Sequence, residues 1–418
     1  MQAKAFSGKF STIQGDRHCN DEPGRGKPAN GMAKPQPTIS RGKRVGLIAL
    51  GCALGLLLGE SIARIAGFEY RPHMRNRVYF TEPDSQLGWR NRAGTAGPYG
   101  GDEFSTWVTI NADGQRGPHH PRKRSPGKPR VAILGDSQAW GDGVGDAETF
   151  AARLDGAETE AVNLGVLGYG TDQQLLSLEL ALEYEPDLII VTTYLGNDLD
   201  DNSHAGTTQF PKPWFEARDG GLELRGVPVQ HSRVVQAGVE VFRGLMRHSA
   251  ILNALAETAA NPHQARKPDR VTWIQRGYPM HSRYSREPST DDLAALQLTS
   301  RLLIEIGQRA DARGAKTIFL ILPESWQVEA ANDPRWRTEL RQRSVDWRRP
   351  QKVLRKTLEA SGYTVVDALP ALARASRPPG SAAVYYPGWK HLTVAGHEVM
   401  AELLSPRIAS AVHSGRKK

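Results

Sequence analysis

The sequence predicts an α/β protein, a three-layer α/β/α sandwich around a five-stranded parallel sheet, preceded by an N-terminal transmembrane helix. Three observations carry this. From Val131 onward, short apolar runs alternate with longer segments of helical periodicity. The strand-like runs are apolar throughout, as in LIIVTTY at Leu188–Tyr194, which fits strands covered on both faces. A charge-free run, Val45–Gly59, lies between a basic tail and a polar domain.

The expected strands are Val131–Leu134, Glu160–Leu164, Leu188–Tyr194, Lys316–Leu322 and Tyr363–Val366. Helical segments are expected at Phe150–Leu154, Thr171–Tyr184, Asp291–Arg313, Lys352–Ser361 and His391–Leu404. They supply the crossovers that parallel strands require. Residues 67–130 read as an irregular lead-in containing one strand, Phe104 to Gly117, that ends in an Asp-Gly turn. The main domain spans 131–405. An insertion at about 204–288 interrupts its rhythm, with a hairpin around Asp219-Gly220-Gly221 and an amphipathic helix near Leu245–Leu255. Residues 406–418 read as a basic C-terminal tail.

The formal net charge of +9 invites a nucleic-acid reading, but the charge is local. Residues 1–44 hold nine Lys and Arg against three acidic residues, so the remainder is close to neutral. No basic stripe with interleaved aromatics is present, and no nucleic-acid partner is expected. The two cysteines, Cys19 and Cys52, fit neither a metal-ligand spacing nor a plausible disulfide. Residues 45–66 are read as a signal anchor, with Arg44 and Arg64 flanking the apolar run. The excess of Lys and Arg before it places residues 1–44 in the cytoplasm and the large domain outside the cytoplasmic membrane. A buried core helix, a cleaved signal peptide and a lipoprotein signal at Cys52 are the alternatives.

Open α/β sheets bind ligands beyond the carboxyl ends of their strands. The first strand ends in Gly135-Asp136-Ser137, the second runs into NLGVLG at 163–168, and the third into Gly196-Asn197-Asp198. His391 precedes the last helix. These are the parts of acyl transfer: a serine hydroxyl that needs a base, and N–H donors for an oxyanion. Each residue alone has a plainer role: Ser137 as a helix N-cap, Gly168 and Asn197 as turn residues, and His391 on the surface. Asp136, adjacent to Ser137, reads as a structural hydrogen-bonding residue and His397 as structural. No GxxxxGK[ST] loop is present, and Gly141–Gly145 lacks dinucleotide spacing.

Gly-Asp-Ser at 135–137, NLGVLG at 163–168, Gly-Asn-Asp at 196–198 and the late His391 together resemble the four blocks of the SGNH (GDSL-type) hydrolase superfamily. The resemblance covers roughly 131–203 and 289–405. TWVTINADGQRG, before the first strand, also looks like the lead-in of a membrane-anchored, extracytoplasmic branch. The resemblance implies a flavodoxin-like sandwich with Ser137 as nucleophile and His391 as general base. It implies an oxyanion hole of the Ser137 and Gly168 N–H groups and the Asn197 amide, with no cofactor and no metal. One position departs: the family usually carries an aspartate two or three residues before the histidine, where this chain has Trp389 and Gly388. A backbone carbonyl near Gly388 or Trp389 holds the imidazole instead, or Asp367 reaches in as the triad acid, or the site is inactive. The implied function is hydrolysis of short-chain or O-acetyl esters on a glycan or lipid. An O-acyltransferase acting on an envelope polysaccharide and an inactive glycan- or lipid-binding domain are the alternatives.

Overall fold

The computed structural model describes residues 40–66, 77–101, 103–124, 126–202, 210–218, 220–252, 282–376 and 381–413. In chain order the elements are α1 (Arg41–Ile65), α2 (Arg77–Phe80), β1 (Thr81–Asp84), β2 (Gly88–Asn91), β3 (Ala96–Gly101), β4 (Phe104–Thr109) and β5 (Arg130–Leu134). Then come α3 (Ser137–Trp140), α4 (Phe150–Leu154), β6 (Glu160–Asn163), α5 (Thr171–Leu182), β7 (Leu188–Tyr194) and α6 (Asp198–Asp201). The insertion supplies β8 (Trp214–Arg218), β9 (Gly221–Arg225) and α7 (Arg233–His248). The chain continues with α8 (Thr290–Ala312), β10 (Lys316–Leu322), α9 (Ser325–Asn332), α10 (Pro334–Gln342) and α11 (Arg349–Ala360). It closes with β11 (Thr364–Asp367), α12 (Leu369–Ala375) and α13 (Val394–His413).

Five strands form one parallel sheet in the order β11-β10-β7-β5-β6. Alternation along each strand sends side chains to opposite faces. Val131, Ile133, Leu188, Ile190, Ile318 and Leu320 join a cluster with Phe150 of α4, Leu372 of α12 and Met400 and Leu404 of α13. Ala132, Leu134, Ile189, Val191, Phe319 and Ile321 face the other way, onto Leu175 and Leu178 of α5, Leu302, Leu303 and Ile306 of α8, and Leu354 and Leu358 of α11. Both faces are covered, so the strands carry no polar alternation. The architecture is the expected three-layer α/β/α sandwich.

Several segments differ from expectation. The lead-in is two antiparallel hairpins, β1–β2 and β3–β4, rather than one strand in an irregular segment. The strand starting at Phe104 ends at Thr109, and the Asn111 side chain organises the following turn by accepting from the Asp113 and Gln115 N–H groups. Residues 406–413 are not a tail: α13 runs through Pro406 to His413, and Ile408 is buried against the sheet's helical layer. The last basic residues, 414–418, lie outside the described residues. The β8–β9 hairpin forms as expected, with Asp219 outside the described residues. Of the helix expected near Leu245–Leu255, residues 245–248 belong to α7, which starts at Arg233 and is capped by Ser232, and residues 253–255 lie outside the described residues. Between β10 and β11, Trp326, Trp336 and Trp347 pack around Tyr284 and Leu340 in a small local core.

The chain divides into two compact units between Leu57 and Leu58. The first contains the larger part of α1, a 25-residue helix with a mean hydropathy of 2.0 over its most apolar window. By length and composition it is able to cross a membrane. Residues 1–39 of the basic tail lie outside the described residues.

Candidate active site

β5 is flanked in the sheet by β7 and β6. The loops after these three neighbouring strands therefore open side by side, and they carry Ser137, Asn197 and Gly168. After β5 the chain turns sharply at Gly135, where an added Cβ would overlap Thr192 Oγ1. Asp136 caps α3 by accepting the Gln138 N–H at 2.9 Å. The capping role thus falls to Asp136, and Ser137, at the first helical position, keeps its hydroxyl free for another partner. That partner is His391: Nε2 lies 2.8 Å from Ser137 Oγ.

His391 is held from three sides. Its Nδ1 lies 2.9 Å from the Trp389 carbonyl oxygen. A carbonyl only accepts, so this contact puts the proton on Nδ1 and leaves the Nε2 lone pair for the serine hydroxyl. The Trp389 ring stacks on the imidazole with centroids 4.9 Å apart. The buried Gln138 clamps the backbone on either side, donating to the Lys390 carbonyl at 3.3 Å and accepting the Leu392 N–H at 3.1 Å. Lys390 sits in the left-handed region at φ +60°, a strained conformation for a side-chain-bearing residue.

Asp367 lies elsewhere. It ends β11, the sheet edge, three positions from β5, roughly 14 Å at ~4.8 Å per strand. Its carboxylate accepts the Leu369 N–H at 3.0 Å and pairs with Arg348 at 3.0 Å. Of the two ways of holding the imidazole raised by the sequence, the geometry is that of the Trp389 carbonyl, and Asp367 serves its own corner of the fold.

The donors are partly arranged. Among the described residues, the Ser137 and Gly168 N–H groups have no acceptor within the chain. Gly168 adopts φ +71°, which favours glycine. Asn197 opens α6 and donates one Nδ2 hydrogen to Asp201 at 2.6 Å, which orients the amide. The loop before Gly168 packs tightly on α3: a Cβ at Gly165 would stand 2.5 Å from the Trp140 nitrogen.

The lead-in, which the sequence left without a role, builds much of this surround. Trp89 Nε1 donates to the Leu167 carbonyl at 2.9 Å, and the Tyr169 hydroxyl donates to the Trp89 carbonyl at 2.6 Å, bracketing Gly168. Asn91 donates to the Gly165 carbonyl and accepts from Trp140 Nε1. Glu103 accepts both the Gly388 and Trp389 N–H groups, fixing the segment that orients His391. Arg116, fully buried, donates to the Trp140, Gly141 and Val144 carbonyls and pairs with Asp146 at 3.1 Å. The hint was the presence of Trp89, Asn91, Tyr99 and Arg116 in a largely irregular segment.

Buried charge surrounds the site. Desolvation pushes the Asp136 carboxyl up to about 6, against the pull of the Gln138 N–H and of His391. Burial and repulsion from Asp136 and Asp201 raise Asp198 well above the usual carboxylate range. His397 is a core residue: its Nδ1 accepts the Phe150 N–H at 3.1 Å, and burial pulls it down to about 3. Among the described residues, no group of three or more His, Cys, Asp and Glu side chains is arranged to hold a metal ion.

No protein-family description matches the sequence, and no curated protein matches it. Solved structures with a similar fold include TesA, 14% identical, covering 68% of this chain and 99% of TesA with a TM-score of 0.33. A GDSL-like lipase from Bacteroides thetaiotaomicron is 14% identical over 69% of this chain and 91% of its own, with a TM-score of 0.32. A variant of Axe2, an acetyl-xylooligosaccharide esterase from Geobacillus, is 12% identical over 67% of this chain and 94% of its own, with a TM-score of 0.34.

Proposed function

We propose that the chain is a serine hydrolase of the SGNH type that cleaves acyl esters with a Ser137–His391 dyad. The observation that carries this reading is the relay in which Nε2 meets Ser137 Oγ at 2.8 Å while Nδ1 meets the Trp389 carbonyl at 2.9 Å. Ser137 Oγ attacks the acyl carbon as its proton passes to Nε2, and the carbonyl electron pair moves onto oxygen. The Ser137 and Gly168 N–H groups and the second Asn197 Nδ2 hydrogen receive that oxyanion. The imidazolium then returns its proton to the leaving alkoxide as the carbon–oxygen bond breaks. Water repeats the sequence on the acyl-enzyme and releases the acid. No step calls for a cofactor or metal.

The substrate class is a short-chain or O-acetyl ester carried on a glycan or lipid. The helix Arg41–Ile65 anchors the chain in the cytoplasmic membrane, with residues 1–44 in the cytoplasm and the hydrolase domain outside, because the basic excess lies before the helix.

The test uses the full chain, p-nitrophenyl acetate and a fluorophosphonate probe. Wild type is expected to hydrolyse the ester and to be labelled at Ser137. Ser137→Ala and His391→Ala are expected to lose at least about 1000-fold in hydrolysis. Labelling of wild type without ester turnover would favour transfer to a sugar hydroxyl over hydrolysis. Wild type neither labelled nor faster than Ser137→Ala would refute nucleophilic catalysis and leave a binding domain.

A further inference from the structure

We propose that Asp142 supplies the negative charge that the Ser137–His391 pair lacks, acting as a positioning residue on the Nε2 side of the imidazole; this rests on the hydrolase reading above. When Nε2 takes the serine proton, a cation forms in a part-buried site. Its Nδ1 partner, the Trp389 carbonyl, is a dipole without net charge. Asp142 Oδ2 lies 3.7 Å from Nε2, and its side chain is 5% exposed. At that distance the interaction is Coulombic, while the shorter 2.8 Å contact to Ser137 keeps the neutral imidazole directed at the nucleophile.

The carboxylate is built into place. Its Oδ1 accepts from the Tyr99 hydroxyl at 2.9 Å and from Trp389 Nε1 at 2.9 Å, which turns Oδ2 toward the imidazole. The Asp142 N–H donates to the Ser137 carbonyl at 3.0 Å, tying the turn to the nucleophile's own residue. That turn needs glycine on both sides, with Gly141 at φ +91° and Gly143 at φ +101°. Arg116 faces the same turn, but its nearest carboxylate is Asp146 at 3.1 Å. Asp136 also interacts with His391, and its Oδ1 is committed to the Gln138 N–H. Trp389 therefore does three things: its carbonyl sets the tautomer, its ring stacks on the imidazole, and its indole N–H aims Asp142.

The test measures fluorophosphonate labelling of the full chain, separating the limiting rate from the half-saturating concentration. In labelling, Ser137 Oγ forms a bond to phosphorus, fluoride leaves and Nε2 takes the proton, so no natural ester is needed. Asp142→Asn keeps an oxygen for Tyr99 and Trp389 but presents an uncharged amide to Nε2. It is expected to lower the limiting rate about 10- to 100-fold with the half-saturating concentration within about twofold. Asp142→Glu is expected to recover part of that loss. An Asp142→Asn rate equal to or above wild type, with Ser137→Ala unlabelled, overturns the proposal alone. A loss confined to the half-saturating concentration overturns it too. Full labelling of Ser137→Ala overturns the hydrolase reading and this proposal with it.

Discussion

Replacing Asp136 by asparagine is expected to stabilise the folded chain above pH 6 and to leave it nearly unchanged at pH 4. Asp136 is fully buried, and desolvation raises its carboxyl from 3.8 to about 6. Below pH 4 the carboxyl is protonated in both the folded and unfolded chain. Between about 4 and 6 the folded chain holds a proton that the unfolded chain has released, so stability falls as pH rises. Above 6 both are ionised and the full burial cost is present, about 3 kcal/mol for a shift near two units. Asparagine caps a helix about as well as aspartate, and losing the anion at the helix start costs about 0.5 kcal/mol. The net gain at pH 7 to 8 is therefore about 2.5 kcal/mol. His397 titrates in the same window with opposite sign, since its folded value of about 3 lies below the ordinary 6.5 and stability is lost as pH falls. That contribution is common to both proteins and cancels in the difference. Urea denaturation of wild type and Asp136→Asn at half-unit steps from pH 4 to 8, followed by tryptophan fluorescence, measures it. A difference independent of pH, or a variant less stable than wild type at pH 8, would refute the buried-charge account.

Two further substitutions probe the surround. Asp367→Asn is expected to leave kcat within about twofold of wild type, because its carboxylate faces Arg348 and Leu369 rather than His391. It is expected to cost about 1 kcal/mol of stability, since Arg348 is over a third exposed and solvent screens the pair. A kcat loss of 100-fold or more on a short-chain aryl ester would instead make Asp367 part of the machinery. Gly165→Ala places a Cβ against the Trp140 nitrogen and the Ala139 carbonyl carbon, backbone atoms that cannot turn aside. It is expected to destabilise the fold by about 2–3 kcal/mol and to lower kcat by displacing α3. Unchanged thermal stability in this variant would show that the loop and the helix are not in close contact.

Local features are legible in the residue pattern. Apolar runs specified all five strands to within one or two residues, because a strand buried on both faces admits almost no polar side chain. The loops that follow β5, β6 and β7 announced Ser137, Gly168 and Asn197 through glycine and polar residues at strand ends. The final helix was legible, but its extent was not: a Pro and several polar residues after Leu404 read as a tail, whereas Ile408, Ala411 and Val412 pack against the core and Lys316 donates to the Ala411 carbonyl. Which distant segments meet is set by the folded chain. Strand order puts β11 at the edge, so Asp367 is remote although it too ends a strand. The partner of His391 Nδ1 is a backbone carbonyl, which every residue has and no side-chain pattern marks. Residues 77–124 carry no catalytic motif, yet Trp89, Asn91, Tyr99, Glu103 and Arg116 hold the loops around Ser137 through contacts up to 286 residues apart in sequence. Periodicity reports whether a segment buries a face; the pairing of side chains across such separations is chosen by the folded chain, where each buried donor must find its acceptor.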